Sequence, residues 1–71
     1  MKLFILDDDI NSFEYVIRTI QRYLAYPNSQ ACSIANIVHS NGECLVKTDE
    51  DSVIIELYDT LKENGLTVRV D

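Results

Sequence analysis

The 71 residues, 46% hydrophobic and 25% charged, have the composition of one small folded domain and not of a disordered segment. Twelve acidic side chains against six basic ones give a net charge of −6, which disfavours nucleic acids and anionic membrane surfaces as partners. The longest uninterrupted apolar run, residues 3–6, is far shorter than the roughly 20 residues of a membrane-spanning helix, and no signal peptide is recognisable, so we expect a cytoplasmic protein.

The N-terminal part of the chain predicts a strand followed by a helix. Residues 2–6 form a short apolar and β-branched run, which ends at an acidic triplet, Asp7, Asp8 and Asp9. Asn11 is a candidate N-cap with a glutamate three residues later, as in a capping box. Apolar residues then recur at helical spacing, and we expect this helix to end just before the single proline.

Two further helices and a strand are predicted downstream. Asn28 is a candidate N-cap for a second helix, which Gly42 would end. The apolar run 44–46 is too short for a helix and indicates a strand. Thr48 is then a candidate N-cap for a third helix, which Gly65 would end.

The last residues complete the predicted fold. Residues 66–70 alternate apolar and polar side chains, which is typical of a half-buried strand. The order is therefore β-α-α-β-α-β, without repeats or linkers. We expect a single small two-layer α+β domain over residues 1–71, in which three helices cover a three-stranded sheet.

Two places in the sequence are chemically unusual: the acidic triplet and the lone histidine, His39, at the end of the second predicted helix. Each has an ordinary structural explanation. A loop carboxylate can stabilise a helix N-terminus through the helix dipole, and a histidine near a helix C-terminus can interact with the last carbonyls. The residues by themselves leave both explanations open.

The sequence offers little that would support catalysis. It contains no nucleophile and base at a recognisable spacing, no phosphate-binding glycine loop and no metal-ligand motif. Cys32 and Cys44 belong to no CxxC or Cys/His cluster, so we expect free, mostly buried thiols. We therefore predict a protein that is not an enzyme and needs no cofactor.

Three stretches of the sequence occur in the order and spacing of one known protein family. Residues 6–17 are similar to that family's first strand, its Asn-Asp-Asp turn and the opening of its first helix. Residues 31–44 resemble its second helix, with a Val-His-x-x-Gly ending, and the cysteine-bearing strand that follows, and residues 63–65 resemble its Glu-Asn-Gly stretch. Over about residues 2–70 the sequence therefore resembles the ClpS family of Clp protease adaptors.

The resemblance implies an adaptor that recognises the free N-terminal residue of substrate proteins, an N-degron with a bulky hydrophobic side chain, and delivers them to a Clp-type AAA+ unfoldase. An ammonium has three donors, so its receptor needs several converging acceptors. By position matching, these would be Asp7, Asp8 and His39. The same matching assigns an apolar pocket for the first side chain to Phe13, Val16, Ala35, Val38 and Val68.

This sequence departs from the family pattern at several positions. Asp7 replaces an asparagine, which adds negative charge and removes an amide donor. Phe13 stands where the family usually has methionine, and Ala35 replaces a larger side chain, so we expect a different preference among first residues. The family's N-terminal extension, which engages the unfoldase, has no counterpart in this sequence, so we expect weaker delivery.

Three alternatives stay open at this point. One is a ClpS-like protein-interaction module that does not bind N-degrons. Another is a receiver-like Mg²⁺-binding domain, because an apolar strand that ends in carboxylates also resembles the start of a response-regulator receiver. A receiver needs later strands that end in an acceptor aspartate and a lysine, in alternating βα order, which this sequence lacks. The third is a hydrolytic metal site built from Asp8 and His39.

Overall fold

Three strands and three helices follow one another in the predicted order β-α-α-β-α-β, which confirms the α+β class. The computed structural model describes residues 1–71. Its elements are β1 (Lys2–Leu6), α1 (Phe13–Leu24), α2 (Asn28–Asn41), β2 (Glu43–Thr48), α3 (Asp51–Glu63) and β3 (Val68–Val70). None of the three helices is long and apolar enough to cross a membrane.

The first strand of the chain is the centre of the sheet. The strand order is β2-β1-β3, and β1 is antiparallel to both neighbours. In the register, Ile5 faces Cys44 on one side and Val68 on the other. A receiver domain builds a parallel sheet from alternating βα units, so the receiver-like alternative does not fit this fold.

The core lies between the sheet and the helices. Side chains alternate along β1, so that Leu3 and Ile5 are fully buried while Lys2 is exposed. Ile20 of α1 and the α3 residues Ile54 and Leu61 complete the set of large, fully buried side chains. Each such side chain contributes about 1.5–3 kcal/mol when it is removed from water. The core therefore fixes the position of β1, and with it the loop that follows β1.

The predicted N-caps are wrong, although the helices that they introduce are present. The structure has Ser12, Pro27 and Glu50 as N-caps, in place of Asn11, Asn28 and Thr48. Of the three, only Ser12 caps with its side chain, whose hydroxyl accepts from the Tyr15 N–H at 3.1 Å. The amide of Asn11 is engaged in a different bond, which is described with the site below.

Both glycine stops are confirmed, while the strand ends differ from the prediction. Gly42 and Gly65 have φ values of 90° and 88°, in the left-handed region that favours glycine. β2 extends over Glu43–Thr48 where 44–46 was predicted, because pairing with β1 supports its polar ends. β3 begins at Val68 and not at residue 66.

Candidate functional site

A cavity of about 320 Å³ opens between the loop after β1, the start of α1 and the C-terminal half of α2. This volume lies at the lower end of the range for small-ligand sites. We call it the N-terminal cavity. Its lining residues are Asp7, Asp8, Asp9, Asn11, Phe13, Val16, Ala35, Val38 and His39. Seven of the eight predicted site residues therefore meet at one place.

The apolar wall of the N-terminal cavity comes from two helices. Phe13 and Val16 are three residues apart on α1, and Ala35 and Val38 are three apart on α2, so each pair shares a helix face. Ala35 and Val38 are only 3% and 4% exposed and form the floor. Phe13 is 42% exposed and stands at the mouth. The small Ala35 leaves room that a larger side chain would occupy.

His39 reaches the cavity because α2 ends beside the end of β1. It lies in the last turn of α2, next to the floor residue Val38, and its ring is exposed. Gly42 ends the helix with its N–H donating to the Val38 carbonyl at 2.9 Å. The Gly42 carbonyl in turn accepts from the Asp7 N–H at 2.8 Å. These two bonds place the carboxylate of Asp7 and the imidazole of His39 on the same rim.

Asp8 makes four hydrogen bonds within the protein. Its Oδ1 accepts from the N–H groups of Ile10 and Asn11 at 3.0 and 2.9 Å. Its Oδ2 accepts from the Asn11 amide at 2.9 Å and from the Thr67 hydroxyl at 2.7 Å. A carboxylate has about four acceptor positions, so Asp8 has little capacity left for a ligand.

These bonds also set the charge of Asp8. Partial burial favours the neutral form and would raise its pKa. The hydrogen bonds from Asn11, Thr67 and Ile10 favour the charged form and outweigh burial, so that the pKa falls from an ordinary 3.8 to about 2. Asp8 therefore stays ionised at neutral pH and contributes its negative charge to the cavity.

The loop that carries the acidic triplet is fastened to the turn between α3 and β3. Asn11 donates its amide both to Asp8 and to the Gly65 carbonyl, the latter at 2.9 Å. Thr67 donates to Asp8 from the residue just before β3. Asn11 is thus a bridge between two distant segments, which orient its side chain, while the Ser12 hydroxyl caps α1.

Asp7 and Asp9 differ from Asp8. Both side chains are exposed, line the cavity, and make neither a hydrogen bond nor an ion pair within the protein. No lysine or arginine lines the cavity. The sequence did not single out Asp9, because an irregular loop has no periodicity that tells which of three adjacent carboxylates turns towards a ligand.

Val68 is the predicted site residue that the structure places elsewhere. It lies on β3 opposite Ile5, half-buried against the core, and does not line the N-terminal cavity. Side chains alternate along β3, which puts Val68 on the face that packs against the core.

The cavity has no arrangement of metal ligands. No three His, Cys, Asp or Glu side chains of the chain cluster so that they could hold a metal ion. Cys32 and Cys44 are free, partly buried and outside the cavity, and burial raises the pKa of the Cys44 thiol. The site instead combines an apolar floor with a rim of unpaired acceptors, an arrangement that suits a small ligand with an ammonium beside an apolar group.

Comparison with known proteins identifies relatives of this fold. A family model described as "ATP-dependent Clp protease adaptor protein ClpS" matches residues 1–69. No curated protein matches the chain. Among solved structures, one of Agrobacterium tumefaciens ClpS2 bound to L-phenylalaninamide is similar, with a TM-score of 0.79 and 20% sequence identity. The match covers 99% of this chain and 94% of that one.

Proposed function

Because the chain belongs to the ClpS family of ATP-dependent Clp protease adaptors, we propose that its N-terminal cavity captures the free first residue of substrate proteins. The captured substrate then passes to a Clp-type AAA+ unfoldase. The observation that carries this proposal is the combination, in one cavity, of an apolar floor and a rim of unpaired acceptors. The similar ClpS2 structure holds L-phenylalaninamide, a ligand with a free α-amino group beside an aromatic side chain.

In this proposal three acceptors on the rim hold the α-ammonium. Asp7, Asp9 and His39 line the cavity with their side chains exposed and unpaired, so each is free to accept one of the three ammonium protons. Asp8 has a different task from the one that position matching implies. It fixes the loop through its four hydrogen bonds, and its charge adds to the attraction for a cation.

The first side chain of the substrate rests on the apolar wall. Ala35 and Val38 form the floor, and Phe13 at the mouth packs against the side chain that enters. Because Ala35 is small, the floor favours bulky side chains that fill the space above it. Leu, Phe, Tyr and Trp are the expected first residues.

The energies are sufficient for a useful adaptor. Two or three charge-assisted hydrogen bonds contribute about 1.5–3 kcal/mol each. Burial of a Phe or Leu side chain adds about 1.5–3 kcal/mol. These gains must offset several kcal/mol of lost translational and rotational freedom. The upper end of these gains, less about 4 kcal/mol of that cost, leaves a binding free energy of about −8 kcal/mol, which corresponds to a micromolar dissociation constant as the tightest binding expected.

Fluorescence anisotropy with matched labelled peptides tests the proposal. The peptides begin with Phe, Tyr, Trp, Leu, Ile or Ala, and each is made with a free and with an acetylated N-terminus. We expect the free bulky residues to bind and acetylation to abolish binding, because an acetylated nitrogen carries no charge and keeps a single donor. If no free peptide binds, the chain is a ClpS-like interaction module without N-degron binding.

A further inference from the structure

A second groove, of about 260 Å³, lies on another face of α1, and the proposed function does not use it. We call it the α1 groove. It shares no lining residue with the N-terminal cavity, so both could be occupied at once. Its lining residues are Tyr15, Arg18, Thr19, Arg22, Tyr23 and Asn64.

Hydrogen bonds hold the walls of the α1 groove in place. The Tyr15 hydroxyl donates to the backbone carbonyl of Asn64, and the Tyr23 hydroxyl donates to its side-chain oxygen at 3.3 Å. The Asn64 amide donates to the Thr60 carbonyl at 2.8 Å. The two aromatic rings are therefore held before any partner arrives, which lowers the entropic cost of binding. Tyrosine and arginine are also the residues that dominate protein interfaces.

The charge of the groove is opposite to that of the whole chain. Arg18 and Arg22 lie one helical turn apart, where like charges destabilise a helix. Glu14 is the carboxylate nearest to Arg18, at 3.8 Å, and the two side chains are 85% and 76% exposed, so this pair contributes little. Arg22 makes no ion pair, and its guanidinium lies 5.4 Å from the centre of the Tyr23 ring. Two guanidinium groups are thus available to an outside carboxylate.

We propose that the α1 groove docks an extended acidic segment of a partner protein, in which two carboxylates two residues apart lie on one face, about 6–7 Å from each other. This spacing matches that of side chains one turn apart on a helix, and the planar guanidinium matches a carboxylate with two parallel hydrogen bonds. The fixed tyrosine rings form the wall against which the segment lies. This surface does not depend on whether the N-terminal cavity binds N-degrons.

Anisotropy with a labelled acetyl-Gly-Glu-Leu-Glu-Ser peptide tests the proposal, and the acetyl group keeps the peptide out of the N-terminal cavity. The matched control is acetyl-Gly-Gln-Leu-Gln-Ser, which has the same shape but no side-chain carboxylates. We expect the Glu peptide to bind at least tenfold more tightly than the Gln peptide. The double variant R18E/R22E should lose about tenfold in affinity, while K2E/K62E, with the same change in net charge and both substitutions outside the groove, stays within twofold.

Two results would overturn the proposal. Equal losses in the two double variants would mean that only net charge matters, and equal binding of both peptides would remove the role of the carboxylates. Circular dichroism confirms that each variant is folded. If R18E/R22E does not fold, the single exposed substitution R22Q replaces it, with an expected loss of about threefold. A dimer that R22Q abolishes would assign the groove to a second copy of this chain.

Discussion

Charged side chains gather in two regions of this protein, and the two regions differ in how their charge is compensated. On the open face of the sheet, Arg69 of β3 donates to both carboxylate oxygens of Glu43 on β2, at 2.9 and 3.1 Å. Its guanidinium lies 4.0 Å from the centre of the Phe4 ring, and Asp71 is 3.8 Å away. Each of these three charged side chains has an opposite charge within 4 Å.

At the rim of the N-terminal cavity, three carboxylates lie together with no lysine or arginine among the lining residues. Like charges side by side repel one another, and here backbone N–H groups, an amide and a hydroxyl compensate for only one of the three carboxylates. A cluster of paired charges stabilises the fold by itself, whereas unpaired carboxylates can accept a cation from outside. From this comparison we expect Arg69 to act in stability, and we propose that the acidic triplet acts in binding.

The largest expected effect is on peptide affinity, when a carboxylate of the acidic triplet is neutralised. Asp9→Asn and Asp7→Asn should each weaken binding of a free Phe peptide by tenfold or more, because a hydrogen bond to a charged group contributes about 1.5–3 kcal/mol. The fold should not change, since both side chains are exposed and make no bond within the protein. Anisotropy measures the affinity, with Asp59→Asn, an exposed carboxylate on α3, as the control for net charge. Unchanged affinity in both variants would mean that neither Asp7 nor Asp9 holds the ammonium, which would leave Asp8 and His39 as its acceptors.

The sequence predicted the fold because its signals are local. Apolar periodicity located all three helices, and the two glycines marked where helices end. The N-caps were wrong by one or two residues. At Asn11, which has a good capping side chain, a tertiary contact orients that side chain, because Gly65, 54 residues away, accepts one of its amide protons. Periodicity carries no information about such a partner.

In the candidate site, too, some features follow from the sequence and others depend on tertiary contacts. Residues on helix faces, such as Val16 and Ala35, could be grouped from their positions in the family pattern, and the structure brings them to one cavity. Which carboxylate of the acidic triplet is free could not be predicted. That depends on Thr67, which lies 59 residues from Asp8 and uses one of its acceptor positions. The role proposed for Asp9 therefore depends on how the α3–β3 turn packs against the loop.

Asp8, the carboxylate of the triplet that accepts four hydrogen bonds, should stabilise the fold in a pH-dependent way. The pKa of Asp8 falls from an ordinary 3.8 to about 2 in the folded chain. Its charge therefore contributes to the free energy of unfolding above the ordinary pKa, and this contribution is lost as the pH falls through about 2. Asp8→Asn should lower the free energy of unfolding at pH 7 by about 1–2 kcal/mol, allowing for solvent screening at a loop residue.

Urea unfolding followed by circular dichroism at pH 7, 4 and 2.5 measures the effect of Asp8→Asn. The difference from the unaltered protein should narrow towards pH 2.5, while Asp9→Asn, whose side chain makes no bond within the protein, should show a small difference that barely changes. A difference for Asp8→Asn that is constant from pH 7 to 2.5 would mean that the amide substitution acts through packing and not through the lost charge.

The smallest expected effect comes from substituting Arg69, in the cluster of paired charges. Arg69→Gln removes the bond to Glu43 and the contact with Phe4, but both ionic partners are substantially exposed, so the free energy of unfolding should fall by only about 0.5–1 kcal/mol. Urea unfolding at low and high salt measures this loss, which should shrink as salt screens the pair. Affinity for the free Phe peptide should stay within twofold, because Arg69 does not line the N-terminal cavity. A tenfold change in affinity would mean that the two regions are coupled through the central strand, and that charge balance does not separate stability from binding in this protein.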